Sequence, residues 1–105
     1  MRILFDVNVP EPFRRYLTEH IVDTAEGKGW ARIRNGDLLD NAERGGYEIL
    51  ITADQSMRYQ QNMAHRQIAV IVLLSNRWPR VQLRIEDIRA ALDGMKPGEV
   101  REVSA

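Results

Sequence analysis

A chain of 105 residues has room for one hydrophobic core, and one domain of this size buries roughly two thirds of its unfolded surface. Hydrophobic residues make up 44% and charged residues 29%, ordinary values for a globular protein, and no stretch approaches the roughly 20 apolar residues of a membrane span. Fifteen basic and fifteen acidic residues cancel, so no general nucleic-acid or membrane affinity follows from net charge, and the lack of cysteine excludes disulfides and thiolate metal sites and fits a cytoplasmic location.

Strand and helix patterns alternate along the chain without repeats or linkers, which predicts one α/β domain over residues 1–105 with a mostly parallel sheet of four or five strands. Arg2 to Phe5 is the first strand; its apolar run is too short for a signal peptide and is broken by Asp6, Asn8 and Pro10. Pro10 favours a helix start, with Phe13, Tyr16 and Leu17 on its apolar face through about Glu19. Ile21 to Ala25 returns as a strand. "EGKGWARIRNG" reads as loop with an irregular turn, and "DLLDNAERGG" as a helix closed by Gly45 and Gly46.

"YEILIT" and "IAVIVLL" are continuous β-branched runs, the pattern of central strands covered on both faces. "SMRYQQNMAHR" between them reads as a short helix. Val81, Ile85, Ile88 and Leu92 recur at helical spacing in a helix ended by Gly94 and Pro97, and "EVREV" closes the chain as an edge strand.

Two strands run into an acid, Asp6 after "RILF" and Asp54 after "LITA". Parallel strands share one carboxyl edge, and ligands bind there where the strand order reverses. A 2-1-3-4 order would make these two strands neighbours and bring their carboxylates together. Asp37, at the start of the helix feeding the third strand, would lean over the same edge, with Asp40 one turn later as its competitor. Crowded carboxylates repel one another unless a cation compensates, and all-oxygen ligands favour Mg²⁺ or Mn²⁺. Such an ion polarises a phosphodiester and lowers the pKa of an attacking water. Each acid also has a structural reading: Asp54 as a helix cap, Asp37 as a first-turn acid welcomed by the macrodipole, Asp6 as a turn residue.

"MRILFDVNVP", "GWARIRNGDLLDNAERGGYEILITAD", "RYQQN" and "IAVIVL", covering about residues 1 to 75, together resemble the small PIN-like proteins of bacteria and archaea, related to the PIN nucleases. The specific parts are "FDVN", "NGD" and "TAD". The resemblance implies a three-layer α/β/α fold and a Mg²⁺- or Mn²⁺-dependent ribonuclease, with Asp6, Asp37 and Asp54 as catalytic metal ligands and Thr52 as a supporting hydroxyl. It also implies a toxin-like component with an antitoxin partner, and a homodimer. PIN nucleases commonly carry another acid just after the "TxD" aspartate, where this chain has Gln55, Ser56 and Met57.

Asn8 is close enough in sequence to Asp6 to orient a metal-bound water. Arg58, Gln60, Gln61 and Asn62 follow Asp54 and would either position phosphates or bases or form a solvated helix face; Arg77, Trp78 and Arg80 would form a charged stacking platform for single-stranded RNA, although a tryptophan is more often a core or interface residue. Thirteen Arg against two Lys favours bidentate phosphate contacts, although codon bias explains the ratio equally well. A binding module without turnover is the alternative, since the additional acid is missing. A phosphoacceptor receiver domain fits worse: Asp6 is followed by Val7, and the only lysines are Lys28 and Lys96.

Overall fold

The runs richest in β-branched residues become the centre of the sheet. In the computed structural model, which describes residues 1–59 and 63–104, strands β3 (Ile49–Thr52) and β4 (Ala69–Leu73) are buried at every position. Together with β1 (Arg2–Phe5), β2 (Ile21–Thr24) and β5 (Val100–Val103) they form one sheet, parallel throughout, in the order β2-β1-β3-β4-β5. The expected adjacency of β1 and β3 is present.

Alternate residues of each strand feed two cores. Ile3, Phe5, Ile49, Ile51 and Ile71 face a layer made by a 3-10 helix at Glu11–Tyr16 and by α2 (Trp78–Gln82) and α3 (Ile85–Gly94). Leu4, Leu50, Val70 and Val72 face α1 (Asn35–Arg44) and the methionines of two 3-10 turns, Gln55–Tyr59 and Met63–His65. The result is three layers.

The connections from β1 to β2 and from β4 to β5 both run over the first face but step in opposite directions across the sheet, so they have opposite hands. The other two connections share the hand of β1 to β2, leaving the last crossover as the exception to a strong general rule. Its consequence is local: beside β4 and β5 the second face is covered by short turns, and there Arg58 reaches Glu102 at 3.3 Å.

α1 ends as its two glycines require. Tyr47 N–H donates to Ala42 O and Gly46 N–H to Glu43 O, with Gly46 at φ 79°, the left-handed cap that glycine adopts without penalty. Three expected helices differ. The segment after Pro10 is a 3-10 helix that stops at Tyr16, where Leu17 N–H bonds back only three residues to Arg14 O. Where the sequence predicts a helix over "SMRYQQNMAHR", the described residues form two 3-10 turns: the Asp54 carboxylate caps the first through the Ser56 N–H and hydroxyl, and Met57 N–H bonds back three residues to Asp54 O, as Arg66 N–H does to Met63 O in the second. The helix expected from Val81 starts earlier, at Trp78, and breaks at Leu83 and Arg84 before α3.

Candidate functional site

The reversal of strand order falls between β1 and β3, because β2 lies on one side of β1 and β3 on the other. Register places the two strand exits together: Phe5 faces Ile51, so the next residues, Asp6 and Thr52, emerge side by side. Thr52 is the sole buried polar residue among those described, at 0% exposure. Its hydroxyl is used twice. It donates to Asp6 Oδ2 at 2.7 Å and accepts the Asp54 N–H at 3.0 Å.

The loop after β1 is locked to the loop after β3 by a second bond, Ala53 N–H to Asn8 Oδ1 at 2.9 Å, and Asp6 Oδ1 accepts the Val7 N–H at 2.8 Å. Asn8 is therefore a positioning residue that ties the two acid-bearing loops together.

Asp54 is the most heavily bonded acid at this edge. Oδ2 accepts Asn35 Nδ2 at 3.0 Å, and Oδ1 accepts both the Ser56 N–H at 3.0 Å and the Ser56 hydroxyl at 2.7 Å. Donation from the Asn35 amide, followed by that from Ser56, holds the Asp54 carboxyl below its ordinary pKa of 3.8 despite partial burial. It is ionised at neutral pH. Asn35 and Ser56 also touch each other, at 3.2 Å, so they act as one cradle.

Asp37 does not share this network. It stands exposed in the first turn of α1 and has no side-chain hydrogen bond among the described residues. Asn35, two residues earlier, occupies the contact with Asp54 instead. Helix geometry explains the substitution: two residues along a helix is more than half a turn, so Asn35 and Asp37 cannot face the same neighbour. Asp40, the competitor, pairs with Arg66 at 2.8 Å and fastens α1 to the segment before β4. Asn35 and Ser56 were not identified from sequence; the only signal was the "NGD" run itself, which points equally to either of its polar residues.

Among the described residues no group of three Asp, Glu or His is placed to hold a metal ion together. The donor set that remains is Asp6 and Asp54, all oxygen, and it suits a hard cation such as Mg²⁺ or Mn²⁺. A carboxylate offers about four lone-pair positions, of which Asp6 uses two for donors within the protein and Asp54 three. Acceptor capacity is left on both.

Arg58 lies in the turn after Asp54, bonded to Glu102 and stacked over Tyr59, its guanidinium 4.9 Å from the ring centroid. Arg77 is exposed just before α2, in the loop leaving β4. Trp78 is not a free platform: its ring lies 5.7 Å from Tyr16 and packs on the core. Gln60, Gln61 and Asn62 lie outside the described residues. A depression of about 290 Å³ has Asp6, Glu11 and Glu26 in its wall but neither Thr52 nor Asp54, and a groove of about 420 Å³ along β5 and α3 includes none of Asp6, Thr52 or Asp54. No described helix is long and apolar enough to cross a membrane. Comparison of the chain with family models, with curated proteins and with solved structures finds no match.

Proposed function

We propose that the protein is a divalent-metal-dependent phosphodiesterase acting on RNA, with Asp6 and Asp54 holding one Mg²⁺ or Mn²⁺ at the carboxyl edge of β1 and β3. The observation that carries this reading is the Thr52 hydroxyl, buried and bonded both to the Asp6 carboxylate and to the Asp54 backbone, at the point where the strand order reverses.

In this reading Asn35 and Ser56 keep Asp54 ionised and fix its rotamer, Thr52 and the Val7 N–H fix the rotamer of Asp6, and Asn8 holds the two loops in register. When bound, the ion would polarise the phosphodiester and make a coordinated water a better nucleophile. Arg58 and Arg77 supply positive charge near the same edge for the substrate's phosphates. The test is cleavage of a labelled single-stranded RNA with Mn²⁺ or with EDTA. Metal-dependent cleavage that is lost in Asp54→Asn with an unchanged fold supports the reading; equal cleavage by that variant overturns it.

A second reading, RNA binding without turnover, draws on Asn35. An amide stands where a third acid would complete the cluster, so the site carries less negative charge than a three-acid centre. It predicts RNA retention without cleavage under either metal.

A further inference from the structure

Tyr59 is the most exposed aromatic residue among those described, at 71%. Arg58 lies over the ring, its guanidinium 4.9 Å from the centroid, a cation-π stack that presents an aromatic and a planar cation side by side at the surface. Arg58 is itself tethered to β5, with Nη1 3.3 Å from Glu102 Oε2. The guanidinium is thus linked both to the ring and to the edge strand of the sheet.

Its position is tied to the acids. The 3-10 turn Gln55–Tyr59 begins at the residue after Asp54, and the Ser56 bonds to the Asp54 carboxylate set the direction in which it departs. At roughly 2 Å rise per residue, five residues carry the chain about 10 Å from Asp54. A base on the ring and a phosphodiester at the acids would belong to the same short stretch of strand. Both tryptophans are engaged elsewhere: Trp78 packs against Tyr16 and the core, and Trp30 meets Tyr47 edge to face.

We propose that Arg58 and Tyr59 form a base-stacking platform that holds an unpaired nucleobase beside the Asp6–Asp54 site. The inference rests on the phosphodiesterase reading for its choice of ligand, but its chemistry is separate. An aromatic face stacked with a guanidinium binds bases without regard to sequence, whereas backbone contacts alone would not distinguish a strand with bases from one without. The platform therefore selects single-stranded over paired nucleic acid.

Binding is measured by fluorescence anisotropy in EDTA, so that no cleavage intervenes, using a labelled oligo(U) RNA, a strand of equal length with abasic sites, and an RNA duplex. Wild type and Tyr59→Phe are expected to bind oligo(U) alike and in preference to the duplex. Tyr59→Ala is expected to bind oligo(U) about tenfold or more weakly and the abasic strand as wild type does. The thermal midpoint confirms folding, since an exposed ring contributes little to stability. Equal binding of oligo(U) by wild type and Tyr59→Ala overturns the platform, as does an equal loss for oligo(U) and the abasic strand, or no binding of oligo(U) by wild type. Cleavage with Mn²⁺ is scored apart: Tyr59-dependent binding without cleavage leaves the platform standing and removes the hydrolytic reading, and cleavage with Tyr59-independent binding does the reverse.

Discussion

Asp54 and Asp37 carry the same side chain, one just before a 3-10 turn and the other in the first turn of α1, yet one is held by three side-chain hydrogen bonds and the other by none among the described residues. The difference lies in what precedes each acid. Asp54 follows a buried strand whose last residue, Thr52, has a hydroxyl turned toward the neighbouring strand end. Asp37 follows a loop and needs only the helix macrodipole to be content there. An acid at a strand exit is positioned by the sheet, whereas an acid in a first helical turn is free to face solvent.

The contrast breaks most visibly in activity. Asp54→Asn or Asp6→Asn should lower metal-dependent cleavage by more than about 100-fold, since loss of a supporting partner alone typically costs about 10- to 100-fold; Asp37→Asn should leave it within experimental error. Single-turnover assays on the three variants decide this. Thr52→Val comes next. The valine keeps the shape but leaves the Asp6 carboxylate and the Asp54 N–H without their shared partner in a buried position, so urea unfolding should show a loss of about 1–3 kcal/mol.

Asn35→Ala sharpens the comparison by removing the largest cause of the low Asp54 pKa. In the wild type this depression contributes stability that is present above the ordinary value of 3.8 and is lost as pH falls through the folded pKa. The variant should show a higher Asp54 pKa in a carboxyl NMR titration and a correspondingly weaker dependence of stability on acid. Asn35→Asp tests the same position in the other direction: the donor becomes a third acid, so the midpoint should fall in EDTA and recover with Mn²⁺ beyond the wild-type response. The smallest effect belongs to Asp37→Asn, within about 0.5 kcal/mol of wild type in stability.

The parallel sheet was legible because its central strands are unbroken β-branched runs, and the place of Asp6 and Asp54 followed from strand ends alone. The partner of Asp54 was not. Asn35 and Asp37 sit two apart in "NGD", and the choice between them depends on where α1 begins, which is Asn35 in the structure and Asp37 in the sequence pattern. Periodicity locates helix interiors better than helix starts, because a first turn makes few of the contacts that enforce the pattern. The same weakness merged α2 with α3 and read one helix through "SMRYQQNMAHR", where the first turn closes with three-residue bonds instead of four-residue ones. The hand of the last crossover left no trace in composition or spacing.

The central claim, that the strand-end acids and not the helix acid form a cation site, is tested most directly by thermal unfolding of wild type, Asp54→Asn and Asp37→Asn across a Mn²⁺ titration with EDTA as the zero point. Binding at 100 times Kd stabilises a folded protein by about 2.7 kcal/mol. Wild type and Asp37→Asn should rise together and Asp54→Asn should stay flat. An equal rise in all three, or none in wild type, would contradict the account.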